Sequence, residues 1–361
     1  MVSSSQLRGP GYGELRPMHP SPTTAEVFPV YDDLVDRLLV AVHPDDVVRH
    51  VLAVCAGYAY SDEATVATMM TRLGLAHNRC VMVREDVDAM FICSTAFVVQ
   101  SDDGRVVIVC YRGTEPANLI NWLTDVDVDP ALVRYDLNPA RGGQDYRVHA
   151  GFYRNVRATR YAVVEILQRA LAGKSVLGDD DNVARMEKLF VTGHSLGAAM
   201  AALMTVMVRA EDIYAPLAER LAATYTYGQP MLGTPAFAAA CERANLDGTA
   251  APLHELLFRY VYADDLVPQL PPRESGAFAH FGREFRADRL DGGIGPGNWT
   301  PHPPTTQTGV FGIGEGFSAL LTRQVPLLRR YLHSHQSIVD HGPQNYVAAL
   351  TPPDRRSEFG D

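Results

Sequence analysis

Residues 190–200 read FVTGHSLGAAM, with Gly193 and Gly197 each two residues from Ser195. The fold turns on whether Ser195 is a nucleophile or a serine in a small-residue turn. The run KLFVTG (188–193) before it has the length and apolar character of a short strand. The run LGAAMAALMTVMVRA (196–210) after it is apolar nearly all round, the mark of a buried helix. A strand-to-helix turn this sharp strains its central residue and needs small neighbours. It also lifts the serine hydroxyl above the carboxyl edge of the sheet, at a helix N-terminus. The context makes Ser195 a candidate nucleophile.

Working outward, residues 31–75 read as two or three helices broken near Pro44. Three Val- and Ile-rich runs follow, RCVMVRE, AMFICSTAFVVQSD and GRVVIVCYRG, each bounded by Asp or Gly as strands are. After about residue 100 strands alternate with helices: a helix from Phe152 to Leu171, the elbow, the strand AATYTYGQP, and the strand LLFRYVYADDLVP. That alternation predicts an α/β fold with a mostly parallel central sheet and helices on both faces. Residues 289–315 form a Gly/Pro/Thr-rich excursion without periodicity, and helices are expected at about 316–333 and 342–350. The organisation expected is a disordered segment over 1–25, a single domain over 26–350 with an insertion around 289–315, and a tail over 351–361.

Composition narrows the function. The 361 residues carry a formal charge of −10, so no basic stripe is available for phosphates and a nucleic-acid partner is excluded. The same balance disfavours anionic membranes but leaves neutral lipid surfaces open. No window of 18 uncharged apolar residues occurs, so no transmembrane segment is expected, and residues 1–20 lack the apolar core of a signal peptide. Five scattered cysteines form no framework. A cytoplasmic, reducing location is the expectation, with no metal and no organic cofactor required.

A serine hydroxyl needs a base held by a third group. On a doubly wound sheet the acid belongs at the end of a later strand and the histidine in a loop beyond it. Asp264 and Asp265 directly follow an apolar strand, and position alone does not separate them. Among the later histidines, His333 and His335 read as a cationic helix end and His302 as a loop residue. His341, after Ile338 and Val339 and before Gly342, is best placed for a base, though spacing leaves it open.

Six segments in order resemble the class 3 lipases, the fungal triacylglycerol lipase type of α/β-hydrolase. VTGHSLGAAMAAL resembles the nucleophile elbow, YRGTEP the oxyanion strand, VHAGFYRN the His-x-Gly-Phe segment, and YTYGQPMLGTPAFA the strand beyond the nucleophile helix. RYVYADDLVPQLPP is similar to the acid loop, with Asp two residues before Val-Pro, and VDHGPQNY to the final Asp-His…Tyr motif. The resemblance spans about residues 105–347 and selects Asp265 and His341, giving the chain order Ser195, Asp265, His341. It implies hydrolysis of a carboxylic ester through an acyl-enzyme, with acylglycerols as the expected substrate class. A phospholipase A1, an esterase for shorter or aromatic acids, and a silent lipid-binding module are the alternatives. The oxyanion is expected to meet the backbone N–H of Leu196 and both the N–H and hydroxyl of Thr114.

In TEPANLINWLTD, Leu119, Ile120, Trp122 and Leu123 fall on one helical face. Class 3 lipases carry a short lid at this place, so a lid opening toward a lipid–water interface is implied. His194 and His149 are expected to support structure rather than chemistry. Trp299, with GVFGIGEGF, is expected as a second flap against the acyl chain.

Overall fold

The computed structural model describes residues 30–87, 92–114, 130–137, 143–244, 252–288, 297–309 and 338–353. The expected N-terminal disordered segment, the lid face of Leu119, Ile120, Trp122 and Leu123, the helix at 316–333, His333 and His335 lie outside these residues.

Helices α1 (Leu34–Val40), α2 (Asp46–Tyr58) and α3 (Glu63–Leu73) come first, broken as expected around Pro44. The Asp45 carboxylate accepts the N–H groups of Val47 and Val48, and Asp62 accepts that of Thr65, so both later helices start on capping aspartates. Strands β1 (Arg79–Val87), β2 (Ile92–Gln100) and β3 (Val106–Tyr111) then form an antiparallel run. A two-stranded hairpin, β4 (Pro130–Tyr135) with β5 (Gln144–His149), leads into α4 (Ala150–Leu171). After it come β6 (Lys188–His194), α5 (Leu196–Ala210), β7 (Leu221–Tyr227), α6 (Pro235–Arg243) and β8 (Leu257–Tyr262). β9 (Arg283–Ala287), β10 (Thr300–His302) and α7 (Pro343–Leu350) follow, with short helical turns of three or four residues between the named elements.

The eight-stranded sheet has the order β1-β2-β3-β6-β7-β8-β9-β10. From β3 through β9 every neighbour is parallel. This is the mostly parallel α/β sheet expected from the alternation of strands and helices, and the α/β-hydrolase architecture that the resemblance implied. β3 shows why the parallel strands read as unbroken apolar runs: all six of its residues are buried, since helices cover both faces. Val107, Val109 and Tyr111 pack with α4 and α5 on one face, while Val106, Ile108 and Cys110 pack with α2 and α3 on the other. Each such valine or isoleucine contributes about 1.5–3 kcal/mol relative to exposure. Helix α5 is buried from Gly197 to Val208, as its composition predicted.

Three features depart from expectation. The hairpin β4–β5 and the last two strands of the sheet, β9 and β10, were not legible, because their alternation is short and interrupted by Asp, Arg and Pro. Within the excursion, residues 300–302 form β10 and extend the sheet rather than a loop. Trp299 is no acyl-facing flap: it is buried in the α2-side core, its ring 5.1 Å from Tyr260 and its indole N–H donating to Ala349 O at 3.0 Å. An indole that can satisfy its one donor is a core residue, and here it pins the excursion to α7.

The same segment is held by a buried ion pair. Arg259 and Glu284 are register partners on β8 and β9, with Nη1 and Oε2 3.0 Å apart and both side chains almost fully buried. Arg259 Nε donates to Phe281 O, and Glu284 accepts the Thr305 N–H and hydroxyl. The ion pair and these three hydrogen bonds replace part of the lost water, and removing either partner would strand a buried charge at a cost of about 3–5 kcal/mol.

Candidate active site

Ser195 stands between the last residue of β6 and the first of α5, at φ 60 and ψ −129. A non-glycine residue in this region is strained by about 1–3 kcal/mol and persists only where its surroundings over-determine it. Here they do. The Ser195 N–H donates to Tyr227 O on the neighbouring strand, and Ser195 O accepts from Ala198 and Ala199 in the first turn of α5. A Cβ on Gly193 would lie 2.4 Å from Gly197 C, and one on Gly197 would lie 2.1 Å from Tyr111 O. The two glycines thus let helix, strand and the end of β3 close on one point.

That closure also brings the end of β3 to the serine. A Cβ on Gly113 would lie 3.1 Å from Ser195 Cβ and 2.5 Å from His194 O, so the end of β3 runs directly beside the serine and Thr114 follows it. Leu196 opens α5, and the first N–H groups of a helix have no carbonyl one turn back to bond. Serine, Leu196 and Thr114 therefore meet at one sheet edge.

Asp265 and His341 meet there too. Asp265 lies in the turn after β8, wholly buried, while its neighbour Asp264 is exposed. The structure separates the two acids that position in the sequence left level. His341 Nδ1 is 2.9 Å from Asp265 Oδ2 and 3.1 Å from Oδ1. Asp265 Oδ1 also accepts the Val267 N–H at 2.9 Å, and Oδ2 accepts the Tyr346 hydroxyl at 2.5 Å. Three donors replace the water that burial removed. A carboxylate can only accept, so the neutral His341 ring carries its proton on Nδ1 and leaves the Nε2 lone pair bare.

Ser195 Oγ and His341 Nε2 are both buried and both without a hydrogen-bond partner among the described residues. Buried polar atoms are nearly always paired, and the exceptions gather at functional sites. An unpaired hydroxyl, an unpaired basic nitrogen and a carboxylate fixing the base's tautomer can together perform nucleophilic acyl transfer.

Several residues of this site had no function assigned from sequence. Gly228, at the end of β7 with φ +59, would place a Cβ 2.8 Å from Asp265 Oδ2, His341 Cε1 and His341 Nδ1. Only glycine fits both the left-handed backbone and the space beside the acid–base pair. Tyr346 stands in the final motif, but nothing local marks it as a ligand of Asp265. Burial, then the adjacent Asp265, pushes its phenol well above the ordinary tyrosine range, so it stays a donor. Tyr346→Phe is expected to lower kcat about tenfold and destabilise the fold by about 1.5–3 kcal/mol, the worth of a hydrogen bond to a charged group. Steady-state kinetics and denaturant melts of that variant read both effects, and unchanged values in both would remove Tyr346 from the site.

The structure places the two tempting histidines outside the acid–base pair. His149 caps α4, its Nδ1 accepting the Phe152 N–H, and its ring stacks on Phe152 at 3.9 Å. Burial and nearby Arg154 push it down to about 4. His194 is packed beside His341, with ring centroids 4.5 Å apart. Cys55, Cys80, Cys110 and Cys241 are buried free thiols. No helix among the described residues is long and apolar enough to cross a membrane.

Known proteins share this arrangement of strands and motifs. Residues 108–275 match the family described as lipase (class 3), a range that takes in the end of β3, the elbow and Asp265. A triacylglycerol lipase OBL1 of Nicotiana tabacum is 42% identical, covering 50% of this chain and 41% of its own. A lipase of Rhizomucor miehei is 30% identical, covering 53% of this chain and 44% of its own. The chain spans less than half the length of the curated relatives it matches. Among solved structures, a deletion mutant of the Rhizomucor miehei lipase propeptide complex superposes with TM-score 0.54 at 18% identity, over 86% of this chain and 81% of that one. The lipase from Rhizopus microsporus var. chinensis gives 0.52 at 20% identity, over 83% and 87%. These likenesses establish the fold.

Proposed function

We propose that this protein, whose residues 108–275 match the class 3 lipase family, is a serine carboxylic-ester hydrolase acting on acylglycerols. The observation that carries the reading is the buried, unpaired Ser195 hydroxyl and His341 Nε2 beside a fully satisfied Asp265. The names of the relatives, triacylglycerol lipase and lipase, support the substrate class.

Ser195 Oγ attacks the ester carbonyl as His341 Nε2 takes its proton. Asp265 holds the tautomer and stabilises the imidazolium. The tetrahedral oxyanion accepts from the Leu196 N–H and from Thr114, donors set in place before the charge forms. Losing one such donor costs about 3–4 kcal/mol of transition-state stabilisation. His341 then returns its proton to the departing alcohol, and the same nitrogen activates the water that frees the acid and restores Ser195.

Asp265→Asn should lower kcat by about 10⁴, because the amide N–H₂ turned toward Nδ1 favours the wrong tautomer. Asp264→Asn, at an exposed position, should stay within about twofold of wild type, since surface changes away from a site do little. Equal losses in both would overturn the assignment of the acid.

The test of the function is initial rate against concentration for p-nitrophenyl butyrate and for emulsified tributyrin and triolein, followed through each solubility limit. The expected result is hydrolysis of both emulsions, rising where the emulsion forms and absent in Ser195→Ala. Saturation below the solubility limit with no action on triolein would make it an esterase for soluble substrates. Equal inertness of wild type and Ser195→Ala on all three would overturn the hydrolase reading.

A further inference from the structure

His194 precedes Ser195 and is almost wholly buried, yet the mechanism above gives it nothing to do. Both of its ring nitrogens are engaged. Nε2 lies 2.6 Å from the main-chain carbonyl of His341, and Nδ1 lies 2.8 Å from the Tyr60 hydroxyl. A carbonyl oxygen can only accept, so the His194 proton resides on Nε2. The neutral ring then presents a lone pair at Nδ1, and Tyr60 is the donor. The chain runs in one direction: Tyr60 O–H to His194 Nδ1, then His194 Nε2–H to His341 C=O.

The three elements involved come from distant parts of the sequence, with 134 residues between Tyr60 and His194 and 147 between His194 and His341. Tyr60 follows the end of α2, His194 ends the strand that carries the nucleophile, and His341 lies in the loop before α7. The His194 ring also packs against His341 and Tyr346, with centroids 4.5 Å and 5.6 Å away. The end of β3 rests on the same hydroxyl, since a Cβ on Gly113 would lie 2.2 Å from Tyr60 Oη. Burial, then the neighbouring His341, holds His194 well below the ordinary imidazole value, so it stays a neutral donor beside the base.

We infer that Tyr60 and His194 are positioning residues for the general base: their directed hydrogen-bond chain fixes the His341 backbone relative to the strand that presents Ser195. Asp265 orients the His341 ring, whereas His194 fixes where that ring is hung. Tyr60 acts at one remove, by keeping Nδ1 free of a proton so that the Nε2–H faces the carbonyl. The opposite tautomer would turn a lone pair on the carbonyl oxygen and push the His341 loop away. A displacement of about 1 Å at a catalytic group costs on the order of 10²-fold in rate. This inference rests on the ester-hydrolase reading for its kinetic consequence, but its geometry does not.

The experiment compares wild type with Tyr60→Phe, His194→Leu and His194→Gln. One readout is the downfield proton resonance of His341 Nδ1–H on Asp265, assigned by its loss in Asp265→Asn. The others are kcat, KM and the pH profile on p-nitrophenyl butyrate. Tyr60→Phe and His194→Leu should lower kcat by about 10–100-fold, leave KM within about twofold, shift the profile and move the resonance. His194→Gln, which keeps an amide donor near Nε2, should recover most of kcat. Unchanged resonance, kcat and profile in Tyr60→Phe would overturn the inference and leave the pair as core packing. Should His194→Leu fail to fold, Tyr60→Phe, which removes one oxygen, still decides. A wild type inert on every ester would sink the hydrolase reading instead, with the resonance still reporting on the positioning.

Discussion

Ser195→Ala, His341→Ala and the double variant should each lose about the same factor in kcat, on the order of 10⁶. The equality matters more than the size. Ser195 has no ionised form to attack with unless His341 takes its proton, and His341 has no proton to take without Ser195. Once either is gone the other contributes nothing, so the losses do not multiply. What remains should be a slow hydrolysis still about 10³–10⁴ above water, supplied by substrate binding and the donors of Leu196 and Thr114. The measurement is single-turnover hydrolysis of a soluble nitrophenyl ester, with circular dichroism to confirm folding. Losses that multiply in the double variant would mean that the two residues act in separate steps, and the common unit would be abandoned.

Acid should unfold the protein over a narrow range. Burial pushes His50 down to about 3, and His43 and His149 to about 4, and holds His194 and His280 well below the usual imidazole value. Each is folded as a neutral ring with a placed partner: His50 on Tyr31, His43 on Tyr225, His280 on the Pro268 carbonyl. In the unfolded chain each returns to about 6.5. Between the two values the unfolded state binds protons that the native state refuses, so stability is present above about pH 6.5 and is lost as pH falls toward the folded values. At pH 5, His50 and His149 each cost about 2 kcal/mol. His50, His43 and His149 together approach the lower end of the 5–15 kcal/mol that a whole domain has to spare, and His194 and His280 act in the same direction. Thermal melts from pH 8 to pH 5 should show Tm level to about pH 7, then falling by roughly 10 °C or more per unit. His50→Gln should make the fall shallower by about one proton. A Tm unchanged from pH 7 to pH 5 would mean that these histidines are not held neutral by burial.

The legibility of the site follows the range of the forces that build it. The elbow could be read from eleven residues, because strand, strained serine, flanking glycines and buried helix are adjacent in the chain and obey local sterics. The alternating faces of β3 and the all-round burial of α5 were equally local. The acid was legible only to within two residues by position, and resemblance rather than spacing preferred Asp265. What distinguishes it from Asp264 is a hydrogen bond to a histidine 76 residues away. β9 and β10 escaped because these short strands at the end of the sheet carry charge and proline where central strands carry valine, and Trp299 read as a flap because nothing local revealed Ala349 waiting for its N–H.

The sequence by itself determined the α/β architecture and the strand–serine–helix elbow, and the chain order proposed for serine, acid and base came through the resemblance of its motifs. Each of these rests on periodicity, turn sterics or motif order within short segments. Only the tertiary structure decided that Gly228 leaves room for the acid–base pair, that Tyr346 closes the shell of Asp265, and that Tyr60 and His194 hold the His341 backbone. The hydrogen bonds of Tyr346, Tyr60 and His194 join residues 81 to 147 positions apart. A pairing across such distances leaves no period in the chain, since it is set by where the packed sheet brings two groups together.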